Sequence, residues 1–137
     1  MAKTRSLGLD IGDRRIGVAM SDPGGILASP LTIINRTDEK SDIDVILALV
    51  DQNQVGVVVV GLPLSMNGSI GPQAEKVQDF ARQLSKHLEV PIEFRDERLT
   101  TVDARRIIKM NRKSRKTKDD AMAAALILQS YLDEKIA

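Results

Sequence analysis

The first residue that could take part in catalysis or metal binding is Asp10, which lies in the middle of an apolar stretch that alternates like a β-strand. Aspartate is disfavoured inside strands, and alternation places it on one face with Gly8 and Gly12. Two glycines leave open space around the carboxylate, where an ion or ligand could approach. The alternative interpretation is a structural ion pair between Asp10 and Arg14 or Arg15.

A second acidic position ends the stretch IEFRDE, where Asp96 and Glu97 are neighbours. Neighbouring strand residues point to opposite faces, so one of the two can join Asp10, and alternation does not decide which. If this strand lies beside the first, the two backbones are ~4.8 Å apart and both carboxylates could share one ion. The alternative is pairing with Arg95 and Arg98.

A third acidic position, Asp119 and Asp120, opens an Ala-rich stretch with helical periodicity. An acid at a helix start is often only a cap that the helix dipole favours. Asp120 shares a stripe with Ala124 and Ile127, which would let this helix lie close to a sheet. The combination of the three positions therefore matters more than either aspartate alone.

Carboxylates that converge without a cation repel one another, and a divalent ion removes that penalty. Oxygen ligands favour Mg²⁺ or Mn²⁺ over zinc. Two such ions can activate water and stabilise the leaving oxygen of a phosphodiester. The chain has no cysteine and one histidine, His87, on the end of an amphipathic stretch. Metal-assisted hydrolysis is thus the chemistry that this set of residues best supports.

The distribution of charge indicates a nucleic-acid contact, although the formal net charge is only +1. Of 20 basic residues, eight lie within residues 104–118 with no acid among them; the other 12 face 19 acids, leaving about −7 elsewhere. A concentrated basic segment favours binding of a polyanion, and a solvated loop is the alternative. The candidate contacts are Arg112, Lys113, Arg115, Lys116 and Lys118 in this segment, with Arg14, Arg15 and Arg98 beside the acids.

Hydrophobic periodicity predicts the order β-β-β-α-β-α-β-α-α, with three antiparallel strands followed by parallel strands joined by helical crossovers. The predicted architecture is an α/β mixed sheet with helices packed on it. The predicted strands are residues 6–11, 15–21, 26–34, 56–61 and 92–96, and the predicted helices are residues 41–51, 72–88, 101–110 and 119–135.

Length and composition predict one soluble domain over residues 1–137. The start of the chain has no long apolar core of a signal peptide, and no apolar run approaches the ~20 residues of a membrane span. We therefore expect a cytoplasmic protein without membrane contact. Aromatic residues make up 2% of the chain, which argues against single-strand binding by base stacking.

Four segments resemble the bacterial YqgF/RuvX-type family of the ribonuclease H-like superfamily, whose members are described as Holliday junction resolvases and pre-16S rRNA nucleases. These segments are LGLDIGDRRIGVAMSD at 7–22, VVVGLPLSMNGSIGPQAEKVQDFA at 58–81, DERLTTVDA at 96–104 and DDAMAAALILQSYL at 119–132. The resemblance implies a ribonuclease H-like fold and a nuclease dependent on Mg²⁺ or Mn²⁺.

Carried over residue by residue, the resemblance implies catalytic and metal-binding roles for Asp10, Glu97 and Asp120. It selects Glu97 over Asp96, and it leaves Asp119 as an additional candidate ligand. The family's basic segment before the last helix matches residues 112–118.

Among functions, the resemblance favours maturation of the 5′ end of pre-16S rRNA, with pre-rRNA and a ribosomal precursor as partners. Cleavage of branched DNA in recombination is the alternative within the same chemistry, and either a monomer or a homodimer is compatible. Outside that chemistry, a non-catalytic nucleic-acid-binding factor and an ATP-binding protein of the actin and sugar-kinase type are the alternatives. Those ATP-binding proteins use two lobes, whereas 137 residues supply one.

Overall fold

The computed structural model describes residues 4–100 and 119–136, with the side chains of 4–98 and 121–135. The predicted helix over residues 101–110 and the basic contacts Arg112, Lys113, Arg115, Lys116 and Lys118 lie outside the described residues. The strands are β1 (Arg5–Ile11), β2 (Arg15–Ser21), β3 (Ala28–Asn35), β4 (Val55–Leu62) and β5 (Ile92–Asp96). The α-helices are α1 (Glu39–Gln52), α2 (Pro72–Ser85) and α3 (Asp119–Ile136), and a 3₁₀ helix spans Glu97–Thr100.

The five strands form one mixed sheet in the order β3-β2-β1-β4-β5. The first three strands pair antiparallel, whereas β4 pairs parallel with β1 and β5 pairs parallel with β4. The carboxyl ends of β1, β4 and β5 therefore lie at the same edge of the sheet. This arrangement places β4 between β1 and β5. The strand that ends at Asp96 therefore does not lie beside the first strand, which was the condition in the sequence analysis for two carboxylates on adjacent strands to share one ion.

The sheet buries a different cluster on each face because successive strand residues point to opposite sides. On one face, Leu7, Leu9, Val58 and Val60 pack in a cluster with residues of α1 and α2. On the other face, α3 packs through its small and apolar residues, which are Ala124, Ala125, Ile127, Leu128 and Leu132. The run of valines in β4 is buried on both faces, as the sequence predicts for a parallel strand covered by helices.

Element boundaries differ from the predicted ones where side chains or tight turns end the regular pattern. β3 begins at Ala28 rather than residue 26, because the Asp22 carboxylate accepts hydrogen bonds from the backbone N–H groups of Ile26 (2.8 Å) and Leu27 (2.9 Å). α1 begins earlier than predicted because Asp38 caps it, accepting from the N–H of Ser41 at 2.8 Å. No helix within the described residues is both long and apolar enough to cross a membrane.

Candidate active site

Asp10 is half-buried near the carboxyl end of β1, on the face that α3 covers. Two residues earlier on this face, Gly8 permits a close approach of α3 to the strand. A Cβ at Gly8 would lie 2.8 Å from Cβ of Leu128 and 2.9 Å from the carbonyl oxygen of Ala124. The helix therefore rests almost directly on the backbone of β1, two residues before Asp10.

Glu97 is the first residue after β5, at the start of the 3₁₀ helix, and its side chain lies over Gly61 of the intervening strand. A Cβ at Gly61 would lie 2.7 Å from Oε1 of Glu97 and would overlap Cδ1 of Ile127. Because β4 separates β1 from β5, the two acid-bearing strands are ~9.6 Å apart. Only a residue without a side chain at this position leaves room for Glu97 to reach across towards Asp10.

The carboxyl groups of Asp10 and Glu97 interact directly across this gap. Burial of Glu97, then the negative charge of Asp10 and a hydrogen bond with its side chain, and last the charge of Asp96, raise the pKa of Glu97 to about 8. At neutral pH the pair therefore retains a proton between two oxygens that would otherwise repel. Such a pair provides oxygen ligands for a hard divalent cation, which would take the place of that proton.

Asp96 has a different set of partners from its neighbour. The guanidinium of Arg98 donates to the Asp96 carboxylate at 2.7 and 3.1 Å and also to the carbonyl oxygen of Met66 at 3.1 Å. Hydrogen bonds from Arg98 lower the pKa of Asp96, with a smaller effect from its charge. Of the two acids that alternation left open, the structure brings Glu97 to Asp10 and pairs Asp96 with Arg98.

The first turn of α3 lies at the same edge of the sheet, which follows from the direction of the helix. Along β5, Glu93 contacts Tyr131, Arg95 contacts Ser130, and Glu97 lies beside Ile127. The helix therefore runs antiparallel to β5, with its amino end at the carboxyl ends of the parallel strands.

The same direction places the backbone of Asp120 at the level of Asp10. Asp120 is one turn before Ala124, ~6 Å along the axis, and Asp10 is two strand residues beyond Gly8, ~6.6 Å away. The side chains of Asp119 and Asp120 are outside those that the structure describes. Among the residues searched, which are only the described ones, no group of three His, Cys, Asp or Glu side chains could hold a metal ion.

Two of the predicted nucleic-acid contacts lie at this edge. Arg14 and Arg15 are exposed in the turn between β1 and β2 and at the start of β2, beside the end of β1 that carries Asp10. Arg98 is also exposed, although its guanidinium contacts Asp96. Sequence reasoning did not identify Gly61 as part of the site. The signal that could have found it was a glycine at the end of the valine run GVVVVG, just before a loop.

Comparison with known proteins by sequence finds matches over nearly the whole chain. The RuvX family, described as Holliday junction resolvase, matches residues 4–134. A protein of Dehalococcoides mccartyi named "Putative pre-16S rRNA nuclease" is 54% identical over 125 residues, covering 90% of this chain and 94% of the relative. A protein of Thermoanaerobacter pseudethanolicus with the same name is 45% identical over 135 residues, covering 96% of this chain and 97% of the relative.

Solved structures show the same fold at low identity. RuvC of T. thermophilus, in complex with a Holliday junction substrate, superposes with a TM-score of 0.66 at 11% identity, covering 98% of this chain and 96% of that one. The yeast mitochondrial Holliday junction resolvase Ydc2 gives a TM-score of 0.57 at 12% identity, covering 96% and 78%. This likeness confirms the predicted ribonuclease H-like mixed sheet. With a family match over nearly its whole length and relatives about half identical to it, the chain belongs to the RuvX family.

Proposed function

We propose that this protein is a metal-dependent nuclease that hydrolyses phosphodiester bonds, with the 5′ end of pre-16S rRNA as its substrate. The observation that carries the proposal is the direct contact between the Asp10 and Glu97 carboxyl groups across the space left by Gly61. Gly61 leaves room for Glu97 to reach Asp10, and it also lets Ile127 of α3 pack closely against β4. Two carboxyl groups that meet in this way are typical of a site that binds cations.

The residues present fit Mg²⁺ or Mn²⁺, since the donors are carboxylate oxygens and the pair carries an excess of negative charge once its proton leaves. Asp10 and Glu97 would hold the ion, with Asp120 or Asp119 from the first turn of α3 as a further ligand. When bound, the metal supplies an activated water and stabilises charge on the leaving oxygen.

The chain's own basic residues would then place the substrate. Arg14 and Arg15 lie at the same sheet edge as the acids, and the segment 112–118 precedes α3 in the sequence. Arginine and lysine contacts to phosphates fix the position of a nucleic acid without reading its sequence. The acids would hold the metal ion beside the reacting phosphate, while these basic side chains would orient the nucleic-acid backbone on either side of it.

The names of the sequence relatives favour pre-16S rRNA as the substrate, whereas the family description and the RuvC complex favour a Holliday junction. The first test incubates the pure protein and its Asp10→Asn variant with Mg²⁺ or Mn²⁺, a pre-16S rRNA fragment and a synthetic four-way junction. We expect the wild type to cut the RNA near the mature 5′ end, and Asp10→Asn to cut neither substrate. Cleavage of the junction alone would select the alternative substrate, and binding without cleavage of either would contradict the enzyme proposal.

The basic segment allows a separate prediction about binding. Changing Arg112, Lys113 and Arg115 to alanine is expected to weaken RNA binding and to reduce the slope of log K against log salt by about 2 to 3, since each phosphate contact contributes ~0.7 to 0.9. The matched control changes three exposed basic residues on α1, α2 and the turn after α2, which are Lys40, Arg82 and Lys86. Equal salt slopes for the two triple variants would show that the segment makes no phosphate contact.

A further inference from the structure

Among the described side chains of α3, two polar ones are buried, Gln129 and Ser130, and Gln129 has the larger polar group. Gln129 is 6% exposed. Its Oε1 accepts a hydrogen bond from the N–H of Ala28 at 2.9 Å, and its Nε2 donates to the carbonyl oxygen of Ile26 and to Asp133, each at 2.9 Å. A buried amide is costly unless it is hydrogen-bonded. Here two of its three partners are backbone groups more than 100 residues away in the sequence.

The apolar contacts of α3 define its height above the sheet better than its position along its own axis. Gly8 sets how closely the helix approaches β1. The alanines and leucines on the packed face make non-directional contacts, which survive a small slide of the helix. A hydrogen bond does not, because it weakens steeply as its length and angle leave the normal range. Gln129 therefore adds a directional contact that the alanines and leucines of this face cannot make.

A second directional contact holds α3 at the opposite side of the sheet. Arg95 of β5, whose side chain is 17% exposed, donates to Oγ of Ser130 at 3.1 Å and pairs with the carboxylate of Glu134. The helix is thus tied to the start of β3 through Gln129 and to β5 through Arg95. Movement along the axis would break both contacts together.

We propose that Gln129 is a positioning residue that, together with Arg95, sets the axial position of α3 and therefore the place of its first turn relative to Asp10 and Glu97. Asp120 is nine residues before Gln129 in one helix, ~13.5 Å along the axis. A shift at Gln129 moves the first turn by the same amount because the intervening helix is continuous. This inference rests on the proposed function, in which an acid of that turn completes the metal site.

The test replaces Gln129 by methionine, which has a similar length and no hydrogen-bonding amide. The protein has no cysteine, so cysteines introduced at exposed Asp44 of α1 and at Ala123 of α3 can carry two nitroxide labels. We expect Gln129→Met to shift or broaden the distance distribution between the labels. In unlabelled protein we expect the dissociation constant for Mn²⁺, measured by electron paramagnetic resonance, to rise about tenfold, since the loss of residues that orient metal ligands weakens metal binding by about this factor.

The control is Gln83→Met, the same change on α2, where within the described residues the amide accepts one hydrogen bond, from Lys86 just after that helix, at 3.3 Å. Both measurements should match the wild type in this control. A folded Gln129→Met variant with an unchanged distance distribution and unchanged Mn²⁺ affinity would overturn the inference. Should that variant fail to fold, Arg95→Met is measured in the same two ways, with the same expected and contrary outcomes. A wild type that binds no Mn²⁺ would refute the proposed function, whereas the label distances would still test the positioning.

Discussion

Replacing Glu97 by glutamine is expected to lower the rate of phosphodiester cleavage by about 10³-fold while making the metal-free protein more stable at high pH. The loss of activity follows because a bound metal supplies several kcal/mol of transition-state stabilisation and each ~1.4 kcal/mol is a factor of ten. The gain in stability follows because the amide can donate to Asp10 without adding charge.

The pH dependence has a definite sign. The pKa of Glu97 is raised to about 8 in the fold, above the ordinary value of 4.5 for this side chain, so the folded protein binds the proton more tightly than the unfolded chain. The contribution of Glu97 to the free energy of unfolding is therefore greatest below pH ~4.5, and it decreases as the pH rises until the pH passes about 8. Because the carboxyl is only partly buried, solvent screening reduces the fall to about 2 kcal/mol. Adding Mg²⁺ should remove this fall in the wild type.

Urea unfolding at pH 5, 7 and 9 in the presence of EDTA measures the effect. The matched control is Asp96→Asn, which removes the neighbouring acid. The pKa of Asp96 is lowered by Arg98, so this variant should be less stable than the wild type above pH ~4. Its free energy of unfolding should still decrease up to about pH 8, because Glu97 is unchanged. If wild type and Glu97→Gln had the same stability at pH 9, the close pairing of Asp10 and Glu97 would be wrong.

Replacing Gly8 by alanine is expected to destabilise the fold by about 3 kcal/mol, near the upper end for overpacking a core. The added Cβ would lie 2.8 Å from Cβ of Leu128 and 2.9 Å from the carbonyl oxygen of Ala124. Both atoms are held by the helix backbone, so the whole of α3 must move away from β1. Urea unfolding gives the free energy, and wild-type stability would show that α3 does not rest on this strand.

Gly61→Ala is the matched comparison, because the same methyl group is added on the same face of the sheet. It would overlap Cδ1 of Ile127 and lie 2.7 Å from Oε1 of Glu97, both at the free ends of flexible side chains. These ends can rotate away, so we expect a loss of stability of only about 1 kcal/mol. Mn²⁺ affinity should nevertheless fall strongly, since Glu97 is displaced. Affinity that survives Gly61→Ala would contradict the role of the gap over β4.

The elements of this fold were accessible from local patterns. Alternation identified β1 and placed Gly8 and Asp10 on one face, and the four consecutive valines identified β4 as a strand buried on both sides. Helical periodicity located α2 and α3 to within a few residues. These predictions succeed because side-chain direction repeats every two residues in a strand and every 3.6 in a helix, whatever the surrounding fold.

The composition of the chain and the residue types at its strand ends determined which chemistry was available: acids without cysteine and with a single histidine. Only the tertiary structure decided how those acids meet, because strand order is not written in local periodicity. In the sheet, β4 lies between the acid-bearing strands, Glu97 contacts Asp10, and Asp96 contacts Arg98. Gly61 of β4 matters because it leaves room for the Glu97 side chain. A contact between side chains on strands ~9.6 Å apart is possible only if the residue between them on the middle strand has no side chain. Which residue occupies that position is known only from the strand order and register of the assembled sheet.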